Sequence, residues 1–210
     1  MVAVPASTAR AWAVGQNYET GGRRVEFSSL LPIAEASPPT LSFWNIVELY
    51  VLGKITRHHG VRLPNVRTAL EFVQKQLGID RPLIHQEFKT NGVDLFIERY
   101  SGLVNASASG KGQLALRGML EHALERIERE PDGLAISLAP YRLSPEEPQY
   151  VEINPRRAFG RMIIKGTSVP TSILRQRFLA DESIDSIASD YGLSRDQVET
   201  AIRWETGVAA

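Results

Sequence analysis

With 210 residues, 43% of them hydrophobic and 23% charged, the chain has the composition of an ordinary folded protein and is long enough for one large core or two small ones. Two are expected. Its 24 basic and 24 acidic side chains cancel, which removes the simplest argument for a nucleic-acid partner and puts the weight on local charge. The absence of cysteine excludes disulfides, thiolate chemistry and zinc sites built on Cys.

In chain order, "STARAWAV" reads as a short helix. It is followed by a polar stretch whose Gly21-Gly22 pair suits a hairpin tip, giving a helix and a wing. After the break "ASPPT", a helix is expected from about Ser42 to Arg57. Phe43, Val47, Tyr50, Val51 and Ile55 stand at helical spacing on a face wide enough to be core. The next helix has Pro64 in its first turn, Val66, Leu70, Val73 and Leu77 on one side, and Gly78 as its stop; with the preceding helix it should form a helical hairpin. In "FKTNGVDLFIERY", Asn91-Gly92 gives the strongest hairpin signal of the chain, with Val93, Leu95 and Ile97 alternating, so a small antiparallel sheet is expected there. A Gly- and Ser-rich loop leads to the helix "LALRGMLEHALERIERE" and a strand in "GLAISLAPYRL". "SPEEPQ" has no apolar residue and reads as a linker, placing an N-terminal domain at 1–143, the linker at 144–149 and a C-terminal domain at 150–210. That domain begins with strands "YVEI" and "RMIIKG" and continues with helices near Thr171 to Leu179, Ile184 to Tyr191 and Arg195 to Trp204.

Enzyme chemistry finds little support. His58, His59, His85 and His122 form no HExxH pattern, and "NASASGKGQ" lacks both the first glycine and the hydroxyl residue of a phosphate loop. Glu146-Glu147 sit in the linker, where solvation is the plain reading. No catalysis, metal or other cofactor is expected. The most apolar segment, "LSFWNIVELYVLG", is interrupted by Glu48 and too short to span a bilayer. Without a signal-like N-terminus the chain is expected to be cytoplasmic, which makes the sequon at Asn105 nominal.

Binding chemistry is better represented. A helix-turn-helix needs a small residue in its first helix, a turn glycine and buried aliphatics in its second; Ala188, Gly192, Leu193 and Val198 fall at those places. Ser194 and Gln197 make a capping box for the second helix. DNA reading and simple helix packing both fit these residues. Charge bears on the choice: residues 181–210 carry two basic and seven acidic side chains, net −5, and residues 151–180 carry six basic and one acidic, net +5. Phosphate contacts would therefore come from the arm "NPRRAFGRMIIKG", through Arg156, Arg157, Arg161 and Lys165. A solvated face, or an acidic face on a partner or second copy, are the alternatives. Near the N-terminus, Ser7, Thr8 and Arg10 on a helix start, with Arg23 and Arg24 in the wing, form a second candidate DNA contact.

The stretch from Glu152 to Glu205 resembles a small domain of formerly unknown function with a strand pair, a G-T-x-[IV]-P motif, a helix and a terminal helix-turn-helix; Gly166, Thr167, Val169 and Pro170 match the motif. The preceding part, through "VPASTARAW" and "LSFWNIVELYVLGKITRHHGVRLPNVRTALEFVQKQLG", resembles the DNA-binding domains of the MerR class. Proteins combining the two resemble VapB-type antitoxins. The resemblance implies a mainly helical α+β fold with a partial MerR-like winged-helix N-terminal region and a winged-helix-like C-terminal domain. It implies an antitoxin, dimeric, that neutralises a PIN-domain ribonuclease toxin and autorepresses its operon by binding operator DNA. Toxin contact is expected at the basic arm, with Arg157 or Arg161 pairing with the nuclease carboxylates. The MerR class has a further helix ahead of "VPASTARAW", and Met1 falls inside the turn, so either that reader is incomplete or the sequence is shortened. Two other functions fit: a free-standing transcription regulator, and a dimerisation scaffold held by residues 151–210.

Overall fold

The computed structural model describes residues 4–33, 35–36, 38–57, 61–103, 110–141 and 144–207. His58, His59, Asn105 and most of the phosphate-loop-like stretch lie outside them. The fold is mainly helical with small antiparallel sheets, and the chain divides into two compact units, Met1–Ala135 and Ile136–Ala210.

The first unit opens with α1 (Ala6–Val14), whose Ala11, Trp12 and Ala13 are buried. Gly15 turns the chain at φ +77; a Cβ there would lie 2.6 Å from the Phe27 carbonyl oxygen, so only glycine fits. Strands β1 (Gln16–Thr20) and β2 (Arg23–Phe27) then pair antiparallel, Thr20 opposite Arg23. Gly21 and Gly22, at φ +57 and +74, form the two-residue loop that the Gly-Gly pair predicts. A two-residue pairing of β3 (Glu35–Ala36) with β4 (Pro39–Thr40) precedes α2 (Phe43–Arg57).

The α2 helix is buried on most sides: Val47, Leu49, Tyr50, Val51, Leu52 and Ile55 all lie in the core. Ser42 Oγ accepts the Asn45 N–H at 3.2 Å and so caps its start. Glu48, the charge inside the apolar run, is buried and forked by Arg81, with Nε to Oε1 at 2.9 Å and NH2 to Oε2 at 2.6 Å. Asn45 Nδ2 donates a further bond at 3.0 Å. Removing one partner of such a pair leaves an uncompensated buried charge, at a cost of about 3–5 kcal/mol.

In α3 (Leu63–Leu77), Pro64 lies in the first turn and left-handed Gly78 at the end, as expected. The expected hairpin of α2 with α3 is not what forms. A wide apolar surface lets α2 take other partners, chiefly α5 (Gly110–Glu125), while the narrow stripe Val66, Ala69 and Val73 seats α3 on α4 (Val93–Leu103).

The sheet expected at Asn91-Gly92 is also absent, and the segment is helical. A π-turn (Phe88–Gly92) runs straight into α4. Val93, Phe96, Ile97 and Tyr100, at i, i+3, i+4 and i+7, are the buried residues, so the helical period prevails over the alternation. Gly92 is needed for space and not for a turn: a Cβ there would stand 2.7 Å from Phe88 Cδ2 and 3.2 Å from Val73 Cγ1. The α5 helix ends at Glu125, earlier than expected, and β5 (Ile127–Arg129) follows. Arg129 marks the stop, its NH1 donating to the carbonyls of Leu124 (3.2 Å) and Ile127 (2.9 Å). Burial lowers its pKa to about 10.

Strand β6 (Ala135–Leu138) starts at the division between the units. In the second unit β6, β7 (Val151–Ile153) and β8 (Met162–Ile164) pair antiparallel in that order, with Leu138 opposite Ile153 and Val151 opposite Ile164. Helices α6 (Thr171–Leu179), α7 (Ile184–Tyr191) and α8 (Arg195–Thr206) follow where the sequence places them. Helix α8 packs chiefly on α6 and then on α7, around Leu174, Ile187, Val198 and Ala201, all fully buried or nearly so.

Candidate functional site

The basic arm is a loop, residues 154–161, bridging β7 and β8. Asn154 initiates it: its Oδ1 accepts the Arg156 N–H at 2.9 Å and its carbonyl the Arg157 N–H at 3.0 Å. Ala158, Phe159 and Gly160 then stand at φ +43, +56 and +72, three successive residues in the left-handed region. For the alanine and the phenylalanine this costs about 1–2 kcal/mol each. Bonds from Gly160 N–H to the Arg157 carbonyl (3.0 Å) and from Arg161 N–H to the Ala158 carbonyl (3.2 Å) hold the turn. It presents Phe159 at 97% exposure, between Arg156 and Arg157 on one side and Arg161 on the other.

Beneath the loop lies Glu152, a carboxylate at 3% exposure. It accepts the Ser137 hydroxyl at 2.6 Å and the Gly166 N–H at 3.2 Å, and Arg157 NH1 approaches it to 3.7 Å. Gly166 takes φ +79 to aim its N–H. Thr167 closes the same turn, its Oγ1 donating to the Ile164 carbonyl at 2.8 Å and accepting the Val169 N–H at 3.1 Å. The Ile164 N–H returns to the Val169 carbonyl at 3.0 Å, and Pro170 stands opposite Ile163 just before α6. The Gly166-Thr167-x-Val169-Pro170 sequence is thus a folded corner that carries the chain from β8 into α6, and it shares Glu152 with the arginine loop. Lys165 donates to Gln149 Oε1 at 3.0 Å. Of the four candidate cations, Arg156, Arg157 and Arg161 are exposed and grouped on the loop, while Lys165 is half-buried at the end of β8.

The α7–α8 pair has the local chemistry read from its sequence. Ser183 Oγ accepts the Ser186 N–H at 3.2 Å; Ser194 Oγ accepts the Gln197 N–H at 3.2 Å while Gln197 Oε1 accepts the Ser194 N–H at 2.8 Å. Gly192 is left-handed, and the Leu193 N–H closes on the Ala188 carbonyl at 2.9 Å. Ala188 and Val198 are buried. The outward-facing arginines are paired within the unit, and the surface they leave is net acidic. Arg195 bonds Asp185 at 2.7 Å and Glu199 at 2.8 Å, which raise its pKa in that order, and Arg203 donates to Thr200 Oγ1 at 3.1 Å. Arg177, one of the six basic residues counted in 151–180, is folded back onto Glu182 and Asp190. The hydrogen bond from Arg177 holds the Glu182 carboxyl below the usual range, and the same bond raises the Arg177 pKa.

In the first unit, Ser7 and Arg10 are exposed and Thr8 half-buried on α1; Arg24 is exposed on β2, opposite Glu19, and Arg23 stands opposite Thr20. Ser7 and Thr8 line an open groove of about 480 Å³ with Trp12, Phe27, Leu63 and Pro64 among its walls. Sequence reasoning missed Phe159 and Glu152. Phe159 was legible only as an aromatic among arginines, and Glu152 only as the single acid of a basic stretch.

No helix among the described residues is long and apolar enough to cross a membrane. Residues 151–204, which hold the strand pair, the arginine loop, the folded corner and the capped helices, match a family model described as a protein of unknown function, DUF433. The chain belongs to the family of VapB-type antitoxins: it is 30% identical to the protein named "Putative antitoxin VapB45" of Mycobacterium tuberculosis, over 95% of this chain and 87% of that one. It is also 25% identical to the uncharacterized protein Rv2308 of the same organism, over 96% of this chain and 84% of that one. The crystal structure of Rv2018 from M. tuberculosis superposes with a TM-score of 0.68 at 25% identity, covering 96% of this chain and 92% of the other.

Proposed function

We propose that the chain is the antitoxin of a type II toxin–antitoxin pair, without catalysis of its own, that binds and silences a PIN-domain ribonuclease through the loop 154–161. The observation that carries this reading is the grouping of Arg156, Arg157 and Arg161 on one exposed loop, in a chain that matches, over 95% of its residues, a protein named "Putative antitoxin VapB45". A PIN nuclease holds divalent metal with clustered carboxylates, and a guanidinium fork pairs with carboxylates bidentately, so an arginine in that cluster blocks both metal and RNA. Arg161 suits the inserted position, because Arg157 is already drawn toward Glu152. The α7–α8 pair, a helix-turn-helix whose Arg195 is held by Asp185 and Glu199 and whose outer face is net acidic, serves packing and not DNA. The chain acts as a homodimer.

Copurification with the product of the adjoining reading frame tests this. The expected result is a stable complex in which RNA cleavage is lost. Undiminished cleavage in the complex overturns it.

A second reading is supported by a different observation, the exposed Ser7, Arg10 and Arg24 on a helix and the hairpin that follows it. On this reading the first unit binds operator DNA and represses the operon. Binding to the upstream promoter should then weaken steeply with salt, as several phosphates are released. A flat response or no binding removes this reading and leaves protein contact alone.

A further inference from the structure

We infer that Phe159 is the anchor by which the second unit docks, seated in an apolar pocket rimmed by carboxylates on a protein partner. The inference rests on the reading of the chain as the binder of a protein. It differs from that reading in assigning the binding energy to the aromatic ring, with the arginines around it setting orientation and encounter.

Three observations meet in this residue. Phe159 is 97% exposed, the most exposed of the large apolar side chains on the described surface. Its backbone is left-handed at φ +56, after Ala158 at φ +43, a conformation that glycine adopts freely and a bulky residue does not. A loop under no demand but chain reversal would carry glycine or asparagine at these positions. Strain kept where the side chain touches nothing of its own fold points to a side chain presented for use. The turn is also tied by its own hydrogen bonds, so the ring is preorganised and little freedom remains to be lost on docking.

Charge selects the class of partner. From Arg156 to Lys165 there are four cations and no acid, whereas residues 136–210 as a whole hold nine basic and ten acidic side chains. A long polyanion meets the whole unit, including the acidic outer faces of α7 and α8, and gains nothing from its net charge. A compact acidic pocket meets only the loop. The local field therefore fits a protein surface with carboxylates around an apolar centre better than it fits a nucleic-acid strand.

The test titrates the wild-type chain and its F159A, F159G and F159L variants against the product of the adjoining reading frame, and in parallel against a fluorescent 20-nucleotide single-stranded RNA. The expected result is a loss of about 100-fold in affinity for the protein with F159A and F159G, mainly through faster dissociation, and a smaller loss with F159L. F159G should meanwhile melt about 2 °C higher than wild type, because the strain is relieved. Loss of binding with gain in stability separates an anchor from a structural residue. Equal affinity of F159A and wild type for the protein overturns the anchor and leaves the antitoxin reading standing. A loss seen only on the RNA assigns the ring to base stacking and overturns the inference, as does a change of oligomeric state with unchanged affinity. A wild-type chain that does not bind the adjoining product overturns both readings.

Discussion

The chain reverses direction twice between antiparallel strands with an arginine pair at hand, and it does so by opposite means. At the β1–β2 hairpin the two positive-φ positions are Gly21 and Gly22, and neither would meet any neighbour if given a side chain; the turn is unstrained and carries Arg23-Arg24 on the strand that leaves it. At the β7–β8 loop the positive-φ run begins with Ala158 and Phe159, and the strain falls on the residue that is exposed. Glycine was sterically acceptable in both loops. Its use at both positive-φ positions of one, and only at the last of three in the other, separates a turn that only reverses the chain from one that displays a side chain.

The supports beneath the loops differ in the same sense. Glu48 in the first unit is forked by a single arginine, Arg81, whereas Glu152 under the arginine loop is satisfied by the Ser137 hydroxyl and the Gly166 N–H, with Arg157 only at 3.7 Å. R81A should therefore destabilise the first unit by about 3–5 kcal/mol, while R157A should cost less than about 1 kcal/mol, its guanidinium being half exposed. Urea unfolding of the two variants measures both. Equal losses would mean that Arg157 is a structural ion-pair partner and is not available to another protein.

Of intermediate size is a mirrored pair of substitutions. G21A with G22A should destabilise by about 1–2 kcal/mol, the left-handed penalty less the gain from a stiffer unfolded chain. A158G should stabilise by about 0.5 kcal/mol by the same balance with the sign reversed, and it should leave partner binding intact because Phe159 stays. Thermal melts of both, with the binding titration for A158G, sharpen the contrast; a destabilised A158G would remove the strain from the account.

The smallest effect concerns Arg177, which is in the cationic segment by sequence but not by position. Since the Glu182 carboxyl is held below its usual range, its contribution is present above the unfolded carboxylate pKa of about 4.3 and fades as pH falls through the lowered folded value. E182Q should lower the melting temperature by about 1–2 °C at pH 7 and lose that difference at acid pH. A difference that persists at low pH would assign the effect to packing.

Much of the second unit was legible because its signals are local. Gly192 and the Ser194–Gln197 box set the end of α7 and the start of α8 within a turn of the residues they cap, and Gly166 to Pro170 encode their corner in five residues. The Asn91-Gly92 pair was misread because a hairpin dipeptide and a close-packing glycine look alike until Phe88 and Val73 are seen against it. The α2–α3 pairing failed for a related reason: adjacency in sequence does not choose between partners when α2 offers apolar surface on most sides. The charge halves of 151–180 and 181–210 are real in sequence, yet folding joins Arg177 to Glu182 and Asp190, so the count overstated the separation. Nothing in "RRAFGR" marks the backbone of Ala158 and Phe159 as left-handed; the loop between β7 and β8 imposes it.

Amide hydrogen exchange of the complex with the adjoining gene product, compared with the free chain, tests the docking loop most directly. New protection is expected across residues 156–161, with α7–α8 and Ser7 to Arg24 unchanged. Protection confined to α7–α8 or to Ser7–Arg24, with the loop exchanging as in the free chain, would contradict it.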